Sequence, residues 1–285
     1  MGLPVRKTLQ QEQQQWAAKL REDLRLKRLQ LPSLPEVTRR LREAVADRNV
    51  SIRALAQTLS AEPVLVAKLM QAASAAWMGL EAPANLEAAI ARLGLHSVRG
   101  LVYNYCLSKL FQERQTGPLR EELRKVWQRA TLTAAYAEML NAKLGLRENH
   151  ALMAAMMHNI GELPVYALFS HQRELAGRLD LLKLLLASEK AVLGEAILKQ
   201  WEMPDDVLIV PMALQQSGID AGPATVDVVR VALELAKWQE VPNSTVPPID
   251  SMPAAQRLHL DRKKLEPWLT ASRKEIHAFS QLLQN

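Results

Sequence analysis

The chain has 285 residues, of which 48% are hydrophobic and 23% charged, enough for a packed core and against wholesale disorder. Leu and Ala dominate the apolar set and glycine is scarce at 11 residues, a balance that favours helix over sheet. The single Cys106 excludes an intramolecular disulfide and a multi-cysteine zinc site, while the net charge of +6 makes nucleic acid, acidic lipid or an acidic partner classes to weigh.

Residues 8 to 30 repeat apolar side chains at Leu9, Trp16, Leu20 and Leu24, a helical spacing with Gln and charge on the other face. Such a stripe cannot bury itself, so this helix must pack on the body or on a partner. Part of the positive charge sits here, in Arg6, Lys7, Lys19, Arg21, Arg25, Lys27 and Arg28. Glu12, Glu22 and Asp23 are interleaved, which fits a solvated helix face better than a nucleic-acid surface. Leu31-Pro32-Ser33-Leu34-Pro35 then stops the helix. Val37, Leu41 and Val45 mark a second helix. Ile52, Leu55 and Leu59 mark a third, capped by Ser51. Leu65, Leu69 and Ala73 mark a fourth, which Ser60 can cap and whose first turn holds Glu62 and Pro63. Leu86 to Leu93 predicts a short helix ending at Gly94, and Ser97 caps a longer one reaching about Phe111. Cys106 lies in its apolar run and reads as a buried small hydrophobe.

Gln112 to Pro118 is the best internal boundary. Beyond it a long helix carries Leu123, Val126, Ala130, Ala134, Ala137 and Leu144 on one side, with Gly145 as its C-cap. Asn149 to His158 predicts another helix, turned at Gly161 and broken by Pro164. Leu181 to Leu186 is a central apolar run, and Val192, Ala196 and Gln200 mark the next helix, which Pro204 ends. Asp205-Asp206 starts a further one, kinked by Pro211. Val226 to Trp238 predicts a buried helix, with a strand as the alternative its valines allow. Val241 to Pro253, with four prolines, reads as a linker, and Asp261 to Asn285 as two short helices around Pro267. The fold class is all-α, a multi-helix bundle.

The sharpest chemical candidate is His158-Asn159-Ile160-Gly161, where an apolar helix unwinds. Adjacent His and Asp there would give a metal two ligands, and a metal so held activates water for attack on a phosphoester. Asn159 is a neutral amide and a poor ligand. His150 stands eight residues before His158, about 12 Å along a helix, and His96, His171, His259 and His277 sit in unrelated segments. His158 therefore reads as a satisfied, partly buried histidine. G-x-S-x-G, a Gly-rich phosphate loop and G-x-G-x-x-G are all missing. Glu22-Asp23 and Glu121-Glu122 read as surface charge, and the six dispersed tryptophans as core anchors rather than a base-stacking platform.

Leu31-Pro32-Ser33-Leu34-Pro35, Leu55-Ala56 and the run Ala61-Glu62-Pro63 through Leu69-Met70 resemble the opening of HDOD (HD-related output) domains. Ala73-Ser74-Ala75 stands where that family has Asn-Ser-Ala, and Ala88 to Gly94 followed by Val98 to Val102 is similar to its next signature. The resemblance covers roughly residues 30 to 240. It implies a second half like an HD phosphohydrolase core in degraded form. Arg129 stands at the first metal-His position, His158-Asn159 where His-Asp is expected, and Lys190 at a further His; Gln215 and Gln216 fall near a His pair. Arg129 and Lys190 would repel a cation, so the resemblance implies no metal, no cofactor and no hydrolysis. A remnant pocket of Arg129, His158, Asn159 and Lys190 is left, whose bases suit an anionic ligand.

Four segments are expected: an N-terminal amphipathic helix (1–30), two halves of an HDOD module (31–112 and 113–240), and a linker with a helical tail (241–285). The implied role is non-catalytic regulation in bacterial signal transduction, through a signalling protein partner and with a homo-oligomer left open. A residual nucleotide or cyclic-dinucleotide phosphodiesterase is the first alternative, and a nucleic-acid-binding regulator the second. No apolar run reaches the roughly 20 residues of a membrane span, and no secretory leader is evident. The expected location is cytoplasmic. No receiver pattern is visible, which implies a stand-alone member or a fragment.

Overall fold

A capping box starts the first helix: the Thr8 hydroxyl accepts from the Gln11 amide while the Gln11 side chain accepts from the Thr8 amide. The computed structural model describes residues 8–29, 39–47, 49–74, 82–113, 119–146, 150–216, 224–240 and 246–284. Arg6, Lys7, the Leu31–Pro35 punctuation, Val37, Ala75, most of the Gln112–Pro118 boundary and the start of the Val241 linker lie outside them.

The helices run in order: α1 (Leu9–Arg25), α2 (Arg39–Ala46), α3 (Ile52–Leu59), α4 (Pro63–Ala73) and α5 (Leu86–Glu113). Then follow α6 (Arg120–Leu144), α7 (Ala151–Met157), α8 (Glu162–His171) and α9 (Leu179–Gln200). The last are α10 (Asp205–Leu208), α11 (Val210–Gln215), α12 (Ala224–Gln239), α13 (Pro253–Arg257) and α14 (Arg262–Gln284). No described residue is in a strand, so the fold is all-α.

Local chemistry accounts for most boundaries. Ser51 caps α3 by accepting from the Ala54 amide. Ser60 does not cap α4; it ends α3, its hydroxyl donating back to Ala56 O, and Pro63 opens α4 where a missing N–H costs nothing. Gly94, at φ +77°, breaks α5 into two helical pieces as expected. Ser97 departs from its expected role, since its hydroxyl donates to the buried Glu138 on α6. Gly145 ends α6 at φ +71°, as a left-handed C-cap. Pro164 does not break a helix, because it sits in the first turn of α8, where the backbone N–H groups have no intrahelical acceptor.

Helix α6 is the hub, packed by α7, α12 and α14. Its inner face carries Leu123, Val126, Ala130, Ala134 and Ala137, all buried, and the small alanines let the flanking helices approach closely. Leu144 on the same stripe is only partly covered. Every residue of α7 is buried, and Cys106 is fully buried in α5. The valines of α12 are helical and buried, so the strand alternative falls.

Two further readings are corrected. The Leu181–Leu186 run and the Val192 helix are one helix, α9, whose inner stripe runs Leu181, Leu185, Glu189, Leu193, Ile197. The tail after Asp261 is also one helix. Pro267 lies six residues into α14 on the exposed side, and its ring removes one early hydrogen bond without ending the helix. The far end of α14 is tied down: Asn104 donates to Leu283 O at 3.1 Å and Trp127 Nε1 to Gln284 O at 3.3 Å, satisfying carbonyls the helix leaves over.

Candidate functional site

The turn His158–Gly161 between α7 and α8 is pressed onto α9. A Cβ at Gly161 would fall 1.9 Å from Lys190 O and 2.4 Å from Gly194 N. Only glycine permits that approach, and it seats the first residue of α8, Glu162, beside Lys190, with Lys190 Nζ 3.7 Å from Glu162 Oε1. Arg129 comes from α6. Its guanidinium forks onto Glu240, just past α12, at 2.9 and 2.8 Å, and its charge also acts on Glu162.

His158 Nδ1 lies 2.7 Å from Ala155 O. A carbonyl only accepts, so Nδ1 carries the proton and Nε2 the lone pair. Burial pushes this ring down to about 4, and the charges of Lys190, Arg129 and Lys237 push the same way. Burial raises the Glu162 carboxyl, with Lys190 and Arg129 opposing. Burial, then Glu162 and Glu122, raise the Tyr166 phenol. Asn159 is turned inward, 5% exposed, its Nδ2 donating to Val126 O at 3.0 Å.

Three of the four residues named from the sequence, Arg129, His158 and Lys190, thus share one electrostatic neighbourhood around Glu162. Asn159 faces the α6 backbone instead and fastens the turn. Gln215, at the end of α11, donates to Ala187 O on α9, and Gln216 is exposed. Sequence reasoning missed Glu162, Glu240 and Lys237. A carboxylate four residues after His158, just past a glycine, was the available signal for the first; the other two lie far away in sequence.

A cleft of about 370 Å³ opens beside the site, between α6, α12 and α14. Lys125, Gln128, Arg129, Gln239, Glu240 and His277 line it, so of the four predicted residues it includes Arg129 alone. A second polar cluster joins α5, the start of α7, α10 and α12. The His96 and His150 rings meet at 4.5 Å between centroids, tilted by 58°. His150 Nδ1 is 2.8 Å from Asp206, which also accepts from Thr225 at 2.6 Å. Burial opposes ionisation of Asp206, but those two hydrogen bonds outweigh it and hold the carboxyl at about 2. His96, placed by the sequence in an unrelated segment, is therefore a neighbour of His150.

A divalent ion does not fit the Arg129–His158–Lys190 group. Guanidinium and ammonium have no lone pair to give, and the Asn159 side chain, whose Nδ2 donates to Val126 O, is a neutral amide without the charge of a carboxylate. Among the described residues, no group of three or more His, Cys, Asp or Glu is placed to hold a metal.

A neutral, partly buried histidine predicts a pH dependence. Unfolded, the ring takes a proton below about 6.5, whereas in the fold it does so only near 4. The unfolded chain binds the extra proton in that window, so stability present at pH 7 is lost as pH falls through it, by on the order of 3 kcal/mol. Urea unfolding at pH 7 and pH 4.5 measures the loss, and His158→Gln flattens that part of the profile.

An all-α body whose helix-ending histidine turn is clamped between two flanking helices has the architecture of an HD-related module. The HDOD domain model matches residues 31–217, and the chain belongs to the HDOD family. No curated protein matches it. Among solved structures, a provisionally assigned metal-dependent phosphohydrolase from Shewanella amazonensis SB2B is 21% identical with a TM-score of 0.72, over 95% of this chain and 99% of that one. An HDOD domain protein with unknown function from Geobacter sulfurreducens is 20% identical with a TM-score of 0.64, over 93% and 99%. A provisionally assigned signal transduction protein from Marinobacter aquaeolei VT8 is 21% identical with a TM-score of 0.57, over 96% of this chain and 65% of that one. At these identities the likeness is one of fold.

Proposed function

We propose that this chain is a non-catalytic regulatory module of bacterial signal transduction that acts by binding a protein partner. In this reading residues 31–112 and 113–240 are the two halves of the module, and 1–30 and 241–285 are helical additions to it. One observation carries the proposal: the site's cations are answered from within, Arg129 by Glu240 and Lys190 by Glu162. Where a hydrolase needs open ligands around an ion, this chain supplies positive side chains and then neutralises them. An anionic ligand would have to displace Glu240 from a two-pronged contact, which favours a protein over a small molecule. The signal transduction label of the Marinobacter relative belongs to that protein, but the setting agrees.

The test is turnover. Bis(p-nitrophenyl) phosphate and cyclic di-GMP, each with Mn²⁺ or Fe²⁺ added, are expected to hydrolyse no faster with the protein than without it. Metal-dependent hydrolysis that disappears in His158→Ala would replace this reading with the phosphodiesterase one.

A further inference from the structure

We propose that the face of α9 around Ser188 and Glu189 is a docking surface for an arginine-bearing amphipathic helix of a partner protein, and that α1 covers it in cis. Glu189 occupies a core position of the α9 stripe and is 1% exposed. A carboxylate that deep needs a fixed counter-charge. It receives one from Arg21 of α1, whose Nε and Nη2 both sit at 2.8 Å. Glu189 lies inside the stretch matched by the HDOD model, residues 31–217, and Arg21 lies outside it. The buried anion inside the matched stretch thus takes its counter-charge from a helix outside that stretch.

The rest of the contact has the same character. Gln13 donates to Ser188 at 2.9 Å, and Arg178 donates to Glu12 at 2.6 Å. Only Ala17 and Leu20 of α1 are buried, with Leu9, Trp16 and Leu24 partly covered. Two such side chains bury little apolar surface, and a helix of this length is marginal alone in water. The hold is therefore polar, specific and thin, which suits exchange. Residues Gln13, Ala17, Leu20, Arg21 and Leu24 follow the i, i+3, i+4 spacing by which a helix lies in a groove, so the partner is a helix repeating that pattern with arginine against Glu189. This deepens the binding reading and rests on it. The hydrolysis assay can fail without touching the α9 surface, and the reverse also holds, so the two are told apart.

The test uses a fluorescent peptide of residues 8–29 and the full-length chain. Arg21→Glu sets a carboxylate against Glu189 and ejects α1. The peptide is expected to bind this variant at least about tenfold more tightly than wild type, whose own α1 competes at a roughly millimolar effective concentration. A peptide carrying R21E binds neither. Equal binding to both chains, or none to a variant whose circular dichroism shows it folded, overturns the proposal. Wild-type self-association abolished by R21E would also overturn it, assigning the face to a second copy. Hydrogen exchange on the wild-type chain gives an answer even if R21E unfolds. Amides of α1 are expected to exchange at least about tenfold faster than those of α9, and equal protection overturns the strap.

Discussion

Gly161→Ala destabilises the chain by about 3–5 kcal/mol and lowers its melting temperature by roughly 6–15 °C. Gly161 has an ordinary φ of −69°, so alanine meets no backbone strain there. The obstacle is spatial. The new methyl would fall 1.9 Å from Lys190 O and 2.4 Å from Gly194 N, both backbone atoms of α9 that cannot rotate away. Either α8 lifts from α9 or the turn unwinds, and both separate Glu162 from Lys190. Gly100→Ala is the control, because its nearest contact is the Leu152 side chain at 2.8 Å, which can change rotamer; about 1–2 kcal/mol is expected. Differential scanning calorimetry of the two variants reads the contrast, and equal melting temperatures would show that the α8–α9 contact is softer than described.

Arg257→Ala costs a similar amount, about 3–5 kcal/mol, for an electrostatic reason. Asp227 in α12 has a side chain 4% exposed, and Arg257 at the end of α13 grips it through two bonds of 2.8 and 2.6 Å. Truncating the arginine leaves a buried carboxylate without its counter-ion. Adding Asp227→Asn to the same variant removes the stranded charge and restores most of the loss. Guanidinium unfolding of the two chains measures it. A double variant no more stable than the single would mean that packing of the Arg257 stem, rather than charge, holds α13 in place.

How far the sequence discloses all this depends on whether the signal is local. The apolar stripe of α6, the stop at Gly94 and the cap at Gly145 are each written within a few residues, and the fold repeats them. Helix α9 read as two pieces because Glu189 stands where the stripe calls for an apolar side chain, and its partner Arg21 is 168 residues away. Pro267 read as a break because proline usually is one, but in an early exposed turn it removes a single bond. The His96–His150 contact was invisible for the same reason as Glu189: spacing along a chain says nothing about helices that meet across a core. At the site, His158 and Asn159 stood out in the local pattern and Arg129 and Lys190 came from resemblance, whereas the carboxylates that answer the two cations, Glu162 and Glu240, emerged only in three dimensions.

We propose that side-chain cations, already paired, stand around His158 where an ion would otherwise be held. Electron paramagnetic resonance of Mn²⁺ tests it most directly, since the six-line signal of the free ion collapses on binding. Titrated at neutral pH with up to one equivalent of Mn²⁺, the wild-type protein is expected to leave that signal at the intensity of buffer alone. Stoichiometric loss of the signal, restored by His158→Ala, would contradict the account.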